Sequence, residues 1–175
     1  MIPLLAISAW SGTGKTTLLK LLIPELKSRG IRCGLIKHTH HQLEIDTPGK
    51  DSYELRKAGA DQVLVASQLR WALMTETPQQ DALDLHYLAS RMDTSMLDLI
   101  LVEGFKQEEV TKIVLHRSGS DKPLPLPLDQ WTIAVASDVS IEPDVACLDL
   151  NNVAEVADFI AVWMSTQINQ GTPFS

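Results

Sequence analysis

Short, nearly unbroken apolar runs alternate along this chain with longer segments in which leucines recur at helical spacing. The runs at 4–7, 31–37, 99–102, 112–116, 132–136 and 145–148 predict strands. Residues 15–29 set Leu18, Leu22 and Leu26, joined by Leu19, Leu21 and Ile23, on one broad core-facing stripe, with Gly30 as its stop. Pro24 removes one internal hydrogen bond, so a kink is expected there. Further helices are predicted over 52–58, 81–92 and 153–168. Leu85, Leu88 and Met92 form the stripe of the second of these, and Asn152 with Glu155 caps the third. Strand, helix and strand at the start imply a parallel pair, 4–7 with 31–37, joined by a right-handed crossover.

Two stretches change that picture. Segments 62–67 and 70–75 are separated only by Gln68 and Leu69, which predicts a tight antiparallel hairpin and a mixed sheet. Trp71 within it reads as filler of a core or an interface. Segment 117–130 is polar and then alternates Pro123, Pro125 and Pro127. It is expected as an extended surface loop, mobile or partner-binding.

Between the first run and the first helix lies Ala9-Trp10-Ser11-Gly12-Thr13-Gly14-Lys15-Thr16-Thr17. Strand, glycine-containing loop, Gly-Lys-Thr and helix is the P-loop arrangement. Little side-chain bulk lets successive N–H groups turn inward around phosphate oxygens. The helix start adds unpaired N–H groups and the positive end of its dipole. Ser11, Gly12, Thr13, Gly14, Lys15, Thr16 and Thr17 are therefore the expected phosphate ligands. Lys15 would reach the β- and γ-phosphates, and the Thr16 hydroxyl would ligate Mg²⁺. Ala9 stands where the general pattern has its first glycine, and it fits if its backbone keeps to an ordinary region.

An acid follows the run at 99–102. A buried strand that delivers Glu103 at its tip is the Walker B arrangement, in which the carboxylate holds Mg²⁺ or its water opposite the P-loop hydroxyl. Lys15 and Glu103 are the expected catalytic pair. Gly104 would let a backbone N–H approach the γ-phosphate or an attacking water.

The polar loop after the second strand emerges where open α/β sheets place their ligands. Asp46 is expected at Mg²⁺ or its waters, in a switch-like role. Asp51 either joins it there or pairs with Glu54 as the N-cap of helix 52–58. His38, His40 and His41 are a solvated polar stretch, a sensor of phosphate, or metal ligands. Asp138, just past the run at 132–136, either accepts hydrogen bonds from N1 and N2 of guanine or opens a loop. No Asn-Lys-x-Asp occurs, so spacing alone does not name the base.

Composition narrows the classes. The chain's 175 residues suit one domain, 1–170, with a tail at 171–175. A net charge of −7 argues against general nucleic-acid or anionic-membrane binding. Cys33 and Cys147 are too few and too far apart for a disulfide framework. No charged-then-apolar leader and no long apolar run is present, so a cytoplasmic location is expected. The fold expected from these parts is α/β. It is a three-layer P-loop NTPase fold, its mostly parallel central sheet carrying an added antiparallel hairpin, with helices on both faces.

Five blocks occur here in a telling order: Ala-Trp-Ser-Gly-Thr-Gly-Lys-Thr-Thr-Leu, Leu-Ile-Lys-His-Thr-His-His, Gly-Lys-Asp-Ser-Tyr-Glu-Leu-Arg-Lys-Ala-Gly-Ala, Arg-Trp-Ala-Leu-Met-Thr-Glu and Asp-Leu-Ile-Leu-Val-Glu-Gly-Phe-Lys. Together they resemble the molybdopterin-guanine dinucleotide biosynthesis protein B (MobB) family, over about residues 1 to 168. The P-loop is shared with many NTPases, whereas the His-rich and Gly-Lys-Asp-Ser blocks are more specific. The resemblance implies a GTP-binding, weakly GTP-hydrolysing homodimer that assists molybdenum-cofactor maturation. It also implies cooperation with the guanylyltransferase MobA, which joins GMP to molybdopterin. By the same likeness Gly12 to Thr17 hold phosphates, Thr16 and Glu103 serve Mg²⁺, and Asp46 belongs to a mobile loop.

Three functions are compatible with these residues. The first is a nucleotide-switched accessory protein with slow intrinsic hydrolysis, because no water-positioning Gln and no cis Arg is evident. Arg56, Arg70 and Arg117 are the arginines that a dimer could supply in trans. The second is a small-molecule kinase with Asp46 or Asp51 as base. The third is a metal- or pterin-carrying adaptor built on His38, His40 and His41.

Overall fold

The computed structural model of the chain describes residues 2–39, 43–78, 83–105, 108–119, 123–124 and 127–170. His40, His41, the expected start of a helix at Asp81, part of the proline-rich loop and the tail at 171–175 lie outside those residues. In chain order the elements are β1 (Leu4–Ser8), α1 (Lys15–Ser28), β2 (Cys33–Lys37), α2 (Asp51–Lys57), β3 (Gln62–Ala66) and β4 (Trp71–Thr75). They continue with α3 (Leu85–Ser90), β5 (Leu99–Glu103), β6 (Lys112–His116), β7 (Thr132–Ser137), β8 (Ala146–Asp149) and α4 (Val153–Gln170). The chain divides into two compact units, Met1–His38 with Leu85–Ser175, and Thr39–Asp84.

The larger unit is built on a six-stranded sheet of order β2-β5-β1-β6-β7-β8, every pair parallel. The expected pairing of the first two strands is corrected: β5 stands between them, Leu101 lying opposite Leu5 on one side and Leu35 on the other. The physical reason is burial. All five residues of β5 are buried, so this strand has no polar face or edge to present and takes a central place.

Alternation then divides the core. Leu5, Ile7, Leu99 and Leu101 face Leu18, Leu22 and Leu26 of α1 and Val156, Ala157 and Ile160 of α4. Ala6, Ile100 and Val102 face the other way, against Leu85 and the partly buried Leu88 and Met92. Three layers result. Within α1 the buried arc is narrower than the stripe read from the sequence: Leu21 is exposed, because it lies outside the roughly 140° arc that Leu18, Leu22, Leu26, Leu19 and Ile23 cover at 100° per residue. The helix runs on through Pro24 to Ser28. Gly30 then stops it at φ +80°, donating to the Lys27 carbonyl at 3.0 Å. Asn152 Oδ1 accepts from the Glu155 amide at 3.3 Å, as the capping pair of α4 requires. The helix expected at 81–92 is shorter, since Arg91 and Met92 donate to carbonyls only three residues back and close it with a tight turn.

In the smaller unit, β3 and β4 pair antiparallel from Gln62↔Thr75 to Ala66↔Trp71. The hairpin is as expected, but it is a sheet of its own, so the central sheet is not mixed. Ser67 organises its turn, donating its amide to the Arg70 carbonyl at 2.8 Å and accepting on Oγ from the amides of Leu69 and Arg70. Trp71 is 65% exposed in this chain, which removes the core-filling half of its reading. Asp51 is also corrected. The N-cap of α2 is Lys50, with no side-chain bond, and Asp51 is the first helical residue, so it does not cap and its carboxylate lies at the positive end of the helix dipole.

Candidate functional site

The loop from Ala9 to Gly14 bridges the tip of β1 and the start of α1. Its turns are made at Gly12 (φ +85°) and Gly14 (φ +103°), both in the region that only glycine adopts without strain. Among the described residues no non-glycine has positive φ, so Ala9 keeps an ordinary backbone and its methyl group is buried in the core. The missing first glycine is thereby accommodated. Thr13 is buried and its hydroxyl donates to the Trp10 carbonyl at 3.0 Å, which tightens the loop from within. The first bond of α1 runs from the Leu18 amide to the Gly14 carbonyl. The amides of Lys15, Thr16 and Thr17 thus form the open first turn at which anions bind. Lys15 folds back over the loop, its Nζ donating to the carbonyls of Ala9 and Trp10 at 3.1 Å each.

Sheet order brings the second acid to this loop. Because β5 neighbours β1, its tip stands beside the P-loop, and Lys15, Gly104 and Phe105 line one small recess with Ala6, Ile7, Ser8 and Ala9. Glu103 is 8% exposed and pairs with Lys37 Nζ at 3.4 Å from the tip of β2. Gly104 has φ +103°, and a Cβ there would lie 2.9 Å from the His38 carbonyl oxygen. The His38 ring packs against Phe105 with centroids 5.0 Å apart and the ring planes tilted by 35°.

The predicted ligands are partly assembled. Ser11 to Thr17, Glu103 and Gly104 belong to the larger unit's sheet end. Asp46 lies in the smaller unit, where Oδ1 accepts from the Thr47 amide at 2.9 Å and from Ser52 Oγ at 3.0 Å. Its Oδ2 is buried and has no partner among the described residues. No group of three or more His, Cys, Asp or Glu among the described residues could hold a metal ion. Within the larger unit the Thr16 hydroxyl and the Glu103 carboxylate are hard oxygen donors of the kind Mg²⁺ takes, its other positions going to phosphate and water.

Asp138 follows β7, as expected, and is engaged. Ser118 donates its amide to Oδ1 at 2.7 Å and its hydroxyl to Oδ2 at 3.2 Å. The Ser118 amide bond, helped by the Ser118 hydroxyl and the charge of Arg117, holds this carboxyl below the usual range. Arg117 itself was missed as a residue of its own chain's loop: its Nε donates to the Thr13 carbonyl at 3.2 Å. The available signal was position, since Arg117 is the first residue beyond β6, the neighbour of β1. The segment read as a surface loop is also tethered. Trp10 Nε1 donates to the Pro123 carbonyl at 3.0 Å, and Asp129 takes the buried Lys112 ammonium at 2.8 Å.

A parallel sheet in this order, a glycine-turned loop opening into a helix at Lys15, and an acid at the tip of the adjacent strand define the P-loop NTPase fold. A profile of the family described as MobB, molybdopterin guanine dinucleotide synthesis protein B, matches residues 4–138. The chain is 68% identical over 168 residues to the molybdopterin-guanine dinucleotide biosynthesis adapter protein of Escherichia coli strain K12, covering 95% of this chain and 96% of that one. It is 51% identical over 163 residues to the protein of the same description from Haemophilus influenzae, covering 93% and 90%. A crystal structure of molybdopterin-guanine biosynthesis protein B superposes with a TM-score of 0.74 at 26% identity, over 93% of this chain and 99% of that one. This chain belongs to the MobB family.

Proposed function

We infer that the protein is a GTP-binding accessory factor, an adapter in molybdopterin-guanine dinucleotide biosynthesis that hydrolyses GTP slowly. One observation carries the nucleotide part: a loop turned at Gly12 and Gly14, opening into a helix at Lys15, with the nearly buried Glu103 on the adjacent strand. The names of its relatives support the adapter part. Ser11 to Thr17 hold the phosphates, with Lys15 at the β- and γ-groups. Thr16 and Glu103 serve Mg²⁺, which supplies positive charge to the phosphate oxygens. Gly104 brings a backbone N–H toward the γ-phosphate, and Asp138 reads the guanine edge. Among the described residues lining the recess at Lys15 and Gly104 there is no glutamine, which fits turnover on the order of an unassisted GTPase.

The protein acts as a homodimer beside the guanylyltransferase MobA and its molybdopterin substrate, in the cytoplasm. The hairpin supports dimerisation: Leu64, Val65, Leu69, Trp71 and Leu73 are all exposed on a two-stranded sheet, a structure of marginal stability when uncovered.

Calorimetric titration with non-hydrolysable analogues of GTP and ATP, each with Mg²⁺, tests the reading. A tenfold preference for the guanine nucleotide, about 1.4 kcal/mol, is expected. Equal affinity or a preference for adenine, together with transfer of labelled γ-phosphate to a small acceptor, would move the assignment to a kinase.

A further inference from the structure

We propose that Arg117 is the positioning residue that ties the nucleoside side of the site to its phosphate loop. The proposal rests on the GTP-binding reading above and adds a residue to it. Sheet order sets the direction in which a nucleotide lies. Glu103 is at the tip of β5 on one side of β1, and Asp138 follows β7 on the other, with β6 between. A triphosphate seated on the loop after β1, with its metal toward β5, must extend its nucleoside over β6 and β7. Arg117 begins the loop at the tip of β6, at the joint between the two halves.

Its contacts match that place. In a P-loop the N–H groups face the phosphates and the carbonyls face outward, so Thr13 offers an acceptor on the outer wall. Arg117 Nε takes it at 3.2 Å. The guanidinium then lies against Gly14, with Nη2 3.7 Å from the place a Cβ would occupy. Its Nη1 stands 3.8 Å from Asp138 Oδ2. Asp138 is fixed in turn by the amide and hydroxyl of Ser118. One planar fork thus spans the phosphate loop, the β6 tip and the β7 tip. A lysine has the charge but not the fork to do so. The Arg117 side chain remains 40% exposed, leaving a guanidinium face on which a purine can stack.

The test compares GTP with inorganic tripolyphosphate, which lacks the nucleoside, and with ITP, which lacks the 2-amino group. Arg117→Ala is expected to weaken GTP tenfold or more and to shrink the preference for GTP over ITP, while tripolyphosphate changes by less than threefold. Arg117→Lys, which keeps the charge, should show the same selective loss. Asp138→Ala should lower GTP affinity non-additively with Arg117→Ala, because the two act through one contact. Equal losses for GTP and tripolyphosphate in both Arg117 variants, or no loss in either, overturn the role of Arg117 and leave the GTP-binding reading standing. A wild-type protein that binds none of the three ligands removes both.

Discussion

The carbonyl oxygen of His38 stands 2.9 Å from the point where a side chain on Gly104 would begin, so the tips of β2 and β5 meet through a position that admits only glycine. The same residue has φ +103°. Two independent constraints, steric and conformational, therefore fall on the residue that follows Glu103. Gly104→Ala is expected to destabilise the protein by about 1–3 kcal/mol, read as a lower urea midpoint with an unchanged slope. A midpoint equal to wild type would mean that the His38 backbone yields easily, and that Gly104 is there for its ligand alone.

Lys15 spans the phosphate loop by its bonds to Ala9 and Trp10. Lys15→Ala should abolish nucleotide binding in the same titration that defines the base. Circular dichroism and the thermal midpoint of the variant report whether the loop still folds without those two bonds. Retained binding in a folded variant would take the P-loop out of the functional assignment.

Asp98 and Arg32 form a forked pair at 2.8–2.9 Å, and the Arg32 side-chain bonds hold the Asp98 carboxyl down from its ordinary 3.8 to about 2. A lowered carboxyl contributes stability that is complete above its unfolded value and is lost as pH falls through the folded one. Stability should therefore decline between pH of about 4 and about 2, and Asp98→Asn should flatten that part of the profile. Identical acid limbs for variant and wild type would place the acid sensitivity elsewhere.

Lys112 is 3% exposed, and its ammonium is held by Asp129 at 2.8 Å and by the Glu108 carbonyl at 3.2 Å. Asp129→Ala removes the carboxylate from a buried ammonium and should cost about 1.5–3 kcal/mol. Replacing both partners, Lys112→Met with Asp129→Ala, should recover most of that loss, because the buried ammonium goes with its carboxylate. Chemical denaturation of the three variants is the measurement, and a double variant no better than Asp129→Ala alone would contradict it.

Leu22 and Leu21 are adjacent in sequence and opposite in environment, 0% and 57% exposed. Leu22→Ala is expected to cost about 2–5 kcal/mol through the cavity it leaves. Leu21→Ala should stay within about 0.5 kcal/mol of wild type.

Much of this was already legible in the order of residues. The P-loop, the acid at the end of 99–102, the hairpin turn at Gln68 and Leu69 and the capping pair of Asn152 and Glu155 all rest on contacts a few residues apart. Such features need no partner from elsewhere. Asp51 was misread because two local solutions, cap or first-turn acid, use the same residue type. The remaining decisions were non-local. That β5 lies between β1 and β2, that Leu21 faces water, that the hairpin forms its own sheet and that Arg117 reaches Thr13 all depend on which strands become neighbours. Strand neighbours are chosen by burying whole faces at once, a sum over residues far apart in the chain, and no window along the sequence contains that sum.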